Sequence, residues 1–304
     1  MVSYLLARAR APTGPLLVLA AAVLWGTTGT AQGLAPAGAQ PEAVGAARLA
    51  VGGLGLLALA GAQGVRLPDA RWPWRATALA AASMAAYQLC FFSAVARAGV
   101  AIGTAVAIGS APILAGALGW LARGERPGRR WLVATLLAIG GGSLLVAATR
   151  GVDAKVDGFG LALAVGAGAA YATYTVASKR LLENTPPDLA MAAVFCLAAP
   201  LLLPLLLRAD LTWLAQPRGM AVALHLGLVA TTAAYALFAR GLALLPVATA
   251  VTLSLAEPLT AATLGIVVLG ERLTPPAALG AALVLCGLAI LSTAGDARPR
   301  EERW

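Results

Sequence analysis

Among 304 positions there is one histidine, and the acidic residues number thirteen. So thin a supply of ionisable groups excludes most familiar catalytic layouts. No HExxH pair, paired-aspartate motif or Walker sequence occurs, and "AIGSAP" lacks the second glycine of a GxSxG nucleophile turn. An enzyme is therefore not expected, and ATP hydrolysis would need another chain. The cysteines, Cys90, Cys196 and Cys286, are odd in number, show no CxxC spacing and all fall in apolar stretches. They read as small interior residues, with neither disulfide nor metal implied. No cofactor is expected. Charge is scarce too: 12% of residues are Asp, Glu, Lys or Arg, against about 25% in soluble domains.

What fills the space is apolar. Hydrophobic residues make up 60% of the chain, mean hydropathy is +0.83, and glycine occupies 34 positions. A chain this greasy has more apolar surface than one interior can hold, so its solvent is a bilayer. Abundant glycine lets helix backbones approach where lipid supplies no hydrophobic drive for association. The expectation is an all-α integral membrane protein. A net charge of +9 would suggest nucleic acid in a soluble protein. Here the basic residues sit in loops and read as topology signals, so no nucleic-acid partner is expected.

Stretches long enough to cross as helices run near 14–34, 42–63, 74–97, 100–122, 131–149, 158–182, 189–207, 219–240, 246–269 and 276–293. Placing both termini in the cytoplasm puts 15 of the 22 Lys and Arg residues inside and six outside, leaving Arg48 within the second stretch. That bias favours ten spans with N- and C-termini inside. The setting implied is a multi-pass inner membrane.

The chain also repeats itself. At an offset of 146, Trp25 falls on Tyr171, Pro112 on Pro258, Gly124-Glu125-Arg126 on Gly270-Glu271-Arg272, and Gly141 on Gly287. A two-residue slip is needed to bring Tyr87 onto Tyr235. Each copy holds five spans, and five is odd, so the second copy enters the membrane from the opposite side. Inverted repeats of this kind suit alternating access to a site near the midplane. The expected domains are 12–150 and 157–295, with a cytoplasmic tail over 296–304.

Several residues resist the apolar background. A charged group at a helix centre costs roughly 2.5–3.5 kcal/mol on insertion scales. Glu257 lies about 16 Å into the ninth span and Arg48 about 9 Å from the outer end of the second. Glu257 reads either as a cavity carboxylate that meets a substrate amine or a proton, or as an anchor for backbone freed by Pro258. Arg48 reads as a carboxylate-binding fork or as a tie between helices. His225 reads as a proton relay or a hydrogen-bonded interior residue. Trp25, Thr28 and Gln32 share one face of the first span, and Tyr171, Tyr174 and Ser178 share the matching face of the sixth. With Tyr87, Gln88 and Tyr235 they form a candidate lining for a small amphipathic or zwitterionic molecule. Pro112 and Pro258 suggest a helix break in both copies. The two charges are not duplicated: Val194 stands in place of Arg48, and Ala111 in place of Glu257. Trp72, Trp74 and Trp131, at span ends, suggest interfacial anchors.

These features resemble the drug/metabolite transporter superfamily, and within it the EamA-domain proteins. The resemblance rests on "LWGTTGT" at 24–30, "PEAVGAARL" at 41–49, "GSAPILAG" at 109–116, the Glu257-Pro258 pair, and the Gly-Glu pairs ending spans 4 and 9. It covers roughly residues 12 to 295 as two units. It implies a ten-helix bundle around a central cavity and a small-molecule substrate, exported or exchanged by alternating access. Amino acids lead, aromatic ones included, with multidrug or cationic-compound efflux as the alternative. Proton coupling is compatible with Glu257, and no oligomeric state follows.

Overall fold

The computed structural model describes residues 13–64, 72–150, 157–270 and 273–292. Arg8 and Arg10, most of the second and fifth loops, Glu271-Arg272 and the expected 296–304 tail lie outside the described residues. Those that are described fold into ten helical spans: α1 (Thr13–Gly33), α2 (Pro41–Ala62), α3 (Trp74–Ala98), α4 (Val100–Arg123), α5 (Arg129–Arg150), α6 (Gly158–Leu181), α7a (Pro187–Leu201) with α7b (Leu203–Arg208), α8 (Pro217–Leu244), α9a (Val247–Leu253) with α9b (Ala256–Leu269), and α10 (Pro275–Ser292). Nine of these are long and apolar enough to cross a membrane. The seventh is split at Leu202, between Pro200 and Pro204, because proline removes a backbone donor and restricts the residue before it.

Packing obeys a pseudo-twofold relation. α3 lies on α6 as α8 lies on α1, and α4 lies on α6 as α9 lies on α1. Three pairs map onto themselves: α2 with α7, α4 with α9, and α5 with α10. The last is tightest. A methyl group at Gly141 would sit 2.5 Å from the Gly280 carbonyl oxygen, and one at Gly287 would sit 2.6 Å from that of Ala134. Offset by 146, Gly141 becomes Gly287 and Ala134 becomes Gly280, so one contact is made twice. The fold is thus two inverted five-helix repeats. α4 and α9b also end alike, on left-handed Gly124 (φ 69°) and Gly270 (φ 70°). Such a cap is open to glycine without strain.

Three spans depart from expectation. Pro112 lies inside an unbroken α4, whereas the ninth span breaks at Ser254-Leu255, so the break is not common to both copies. Pro258 cannot donate to the Ser254 carbonyl. The Glu257 N–H takes that carbonyl instead, at 3.0 Å, which tightens the chain by one residue. Pro258 then falls in the first turn of α9b, where its missing donor leaves no intrahelical bond unmade. The eighth span is longer than expected and carries a π-helical stretch over His225–Ala233. Within it, the Thr231 and Thr232 hydroxyls bond the carbonyls five residues back, Leu226 (2.8 Å) and Gly227 (3.1 Å). These wide turns immediately precede Tyr235, where the two-residue slip of the repeat falls. Trp131, finally, is no interfacial anchor: its indole N–H donates to Thr252 Oγ1 at 3.1 Å, tying α5 to α9a.

The α5–α10 contact yields a paired test. Gly141→Val forces backbone against backbone and costs about 1–3 kcal/mol, read as a lower melting temperature in detergent. Gly140→Val meets nothing within 4 Å and leaves it unchanged.

Candidate functional site

A cavity of about 610 Å³ lies between the repeats. Its walls come from eight spans, and the residues on them show where it runs. On α1 they are Trp25 to Gln32, on α3 Tyr87 to Val95, on α4 Thr104 to Pro112, and on the ninth span Val251 to Gly265. The sets on α1, α3 and the ninth span proceed toward the end of the bundle that holds Gly33, Ala98 and Leu269, and the set on α4, which starts at that end, stops at mid-depth. The cavity therefore occupies that half of the thickness.

Polar links shut the opposite end, those of Arg123 to Glu183 and of Glu125 to Val247 across the halves. Arg123 donates from Nε to Glu125 (3.0 Å) and from Nη1 to Glu183 (2.9 Å). Glu125 in turn accepts the Val247 N–H at 2.7 Å, placing a carboxylate on the N-terminus of α9a. Lys179 gives its ammonium to three carbonyls at the C-terminal end of α8, those of Leu242, Ala243 and Leu245, at 2.7–3.0 Å. Arg240 pairs with Asp188 at 2.6 Å.

Of the expected lining, Trp25, Thr28, Gln32, Tyr87, Gln88, Tyr171, Tyr235 and Glu257 surround the cavity, together with Arg48, Pro112 and Pro258. Glu257 is held in the first turn of α9b, where the positive end of the helix dipole favours an anion. Its neighbour across the interface is Gly26, so closely packed that a methyl there would sit 2.8 Å from the Glu257 carbonyl oxygen. Among the described residues the Glu257 carboxylate has no hydrogen-bond partner; its backbone, not its side chain, satisfies Ser254. Arg48 is fixed through one arm, Nε to Thr231 Oγ1 at 3.0 Å. The guanidinium also lies against the Tyr235 hydroxyl. The two charges form no ion pair, although each lies within the other's electrostatic reach. Gln88, only 6% exposed, also has no hydrogen-bond partner there. Its amide reaches the face of α2 at Gly45, one turn from Arg48.

The aromatic residues form a continuous wall. Tyr87 stacks on Phe91 (5.7 Å between centroids) and meets Tyr171 (5.6 Å), while Trp25 packs on Tyr235 (4.9 Å). Phe91 and Phe92, which sequence reading passed over, line the cavity. They lie four residues beyond Tyr87 and Gln88, on the same helical face, and that spacing was the available signal.

Three expected residues stand elsewhere. Tyr174 and Ser178 are wholly buried away from the cavity, with the Tyr174 hydroxyl against Met191 Sδ at 3.3 Å. His225 Nε2 lies 2.9 Å from Thr27 Oγ1. That hydroxyl donates to the Leu24 carbonyl, so His225 is the donor in their bond and an interior tie.

A ten-span bundle of inverted repeats around one mid-depth cavity is the architecture of a membrane transporter. The chain belongs to the EamA-like transporter family, whose model matches residues 12–147 and again 158–293. It is 48% identical over 95% of both chains to the uncharacterized transporter YwfM of Bacillus subtilis (strain 168). The threonine/homoserine exporter RhtA of Escherichia coli (strain K12) is 38% identical over 125 residues, 40% of each chain. A crystal structure 24% identical in sequence superposes with a TM-score of 0.80, covering 92% of this chain and 98% of its own, which shows the fold.

The closed end can be tested. Glu125→Gln weakens charge-assisted bonds worth about 1–3 kcal/mol, so spin labels at exposed Arg126 and Asn184 will show a larger population at long separation. Glu183→Gln will shift it less, because that carboxylate is 48% exposed against 19% for Glu125.

Proposed function

We propose that this protein is a secondary transporter exporting or exchanging small metabolites, amino acids first, by alternating access. The observation that carries the substrate class is the pairing of Arg48 and Glu257 across one cavity, neither of them neutralised by an ion pair. An α-carboxylate meets the Arg48 fork, with the Gln88 amide beside it, and an α-ammonium meets Glu257. Free carboxylate and free guanidinium are costly in an apolar surround, and a zwitterion neutralises both at once. The aromatic wall then receives the side chain, which favours bulky amino acids. The likeness to an exporter of threonine and homoserine over part of the chain supports the same class.

With both termini in the cytoplasm, the closed end carrying Arg123 and Glu125 faces inward and the cavity faces out. The setting is then the inner membrane, and the structure corresponds to the state that releases an exported solute. Glu257 also offers a proton site while no ammonium is bound, which would couple export to a pH gradient. The second reading, efflux of cationic compounds, draws on the same partnerless carboxylate and aromatic lining, but leaves the unpaired charge of Arg48 without a task. No catalytic step is assigned to any residue.

Proteoliposomes decide between them. L-threonine, L-homoserine and L-phenylalanine are expected to cross, and a cationic dye is not. Glu257→Gln lowers amino-acid flux by on the order of 10-fold or more and removes its response to an imposed pH gradient. Dye flux that survives Arg48→Gln, without amino-acid flux in the unaltered protein, would establish the second reading.

A further inference from the structure

The two polar stripes that match in sequence do not match in exposure. Trp25, Thr28 and Gln32 become Tyr171, Tyr174 and Ser178 at the offset of 146. All three members of the first stripe line the cavity, but only Tyr171 of the second does. Chain direction explains the difference. α1 runs from the closed end toward the cavity end, so its stripe climbs from mid-depth into the cavity. α6 runs the other way, so the same spacing carries Tyr174 and Ser178 from mid-depth into the closed end. There the two polar side chains are completely covered (0% exposed). The Tyr174 hydroxyl donates to the Met191 thioether, a weak acceptor. Ser178 Oγ lies against the Tyr174 hydroxyl and has no other polar partner among the described residues. A tyrosine and a serine sealed among apolar helices gain little from this placement, since poorly satisfied buried hydroxyls are destabilising. What seals them is separable: the Arg123–Glu125–Glu183 links and the seat of Lys179 on the end of α8 are polar contacts, next in sequence to Ser178 on one side and adjoining α9a on the other.

We infer that Tyr174 and Ser178 are ligand-contacting residues of the opposite conformation, the inward-side equivalents of Thr28 and Gln32. When the closed end parts, the stripe on α6 forms the wall of a second half-cavity, continuous with Tyr171. It presents a phenol and a hydroxyl to the same small amphipathic solute, now entering from that side. Tyr171 and Trp25, at the pivot of the two stripes, serve in both states. The assignment rests on the transporter reading above, but its accessibility test does not require knowing the solute.

In protein lacking Cys90, Cys196 and Cys286, single cysteines are placed at Ser178, at Thr28, and at Ala172, a fully buried position of α6 off the stripe. Labelling by a charged methanethiosulfonate is followed over the hours in which the protein samples its conformations. Ser178→Cys is expected to react at least 10-fold faster than Ala172→Cys, and faster still with Glu125→Gln, while Thr28→Cys slows. If Ser178→Cys reacts no faster than Ala172→Cys, the inference is overturned, whatever the protein carries. In oriented vesicles with L-phenylalanine as the solute, Tyr174→Phe and Ser178→Ala raise KM several-fold for entry at the Arg123 end. They leave KM at the other end within about twofold. Equal changes at both ends would mean that the residues act through folding and would refute the assignment. Absence of L-phenylalanine flux in the unaltered protein counts against the substrate reading and leaves the labelling result to judge the inference.

Discussion

Five is an odd number, and the architecture follows from it. A repeat with an odd count of crossings must be followed by its inverse. Equivalent residues then sit at mirrored depths, not at equal ones. The α5–α10 contact shows the geometry at its simplest, one glycine contact made twice about a common axis. The same relation places one proline near mid-depth from each side, Pro112 and Pro258, both lining the cavity. A bundle built this way cannot be open identically at both ends, because whatever one copy does facing outward the other does facing inward.

Departures from symmetry concentrate where the cavity needs something particular. Inside a bilayer, backbone groups must find partners within the protein. At Ser254 the loss of the Pro258 donor is repaired by the Glu257 N–H. That repair shortens the local turn, ends α9a, and lets a new helix start at mid-depth with a carboxylate in its first turn. In α4 the equivalent proline is accommodated without a break, and no acid accompanies it. The π turns of α8 are a second local solution. They bring Thr231 to Arg48 while its own hydroxyl proton is spent on Leu226, so the guanidinium is held in place without being neutralised by an acid.

Much of this was legible in the sequence because bilayer physics leaves few choices. Run length and loop charge gave ten spans whose ends agree with the helices to within a few residues, apart from the longer eighth. The offset of 146 gave the repeats. Eight of ten expected lining residues reach the cavity, since helical spacing ties Trp25 to Thr28 and Gln32. What stayed hidden depends on tertiary contacts. No periodicity distinguishes a helix that bends around proline from one that breaks, as Pro112 and Pro258 do. The π turns of His225–Ala233 leave in the sequence only the two-residue slip of the repeat ahead of Tyr235, which does not by itself specify a wide turn. Tyr174 and Ser178 were placed correctly on a face, but a face says nothing about which end of the bundle is closed.

The division of charge between the halves has an electrical consequence. One copy brings only Arg48 to the cavity and the other only Glu257, so with Glu257 ionised the site is near neutral overall but strongly polarised. A zwitterion aligned with that field adds no net charge to the complex. Membrane potential does work of about 2.3 kcal/mol per elementary charge per 100 mV, yet on such a complex it has almost nothing to pull. Crossing with a neutral, aligned cargo is thus nearly blind to voltage, and an energised membrane neither drives nor stalls that half of the cycle.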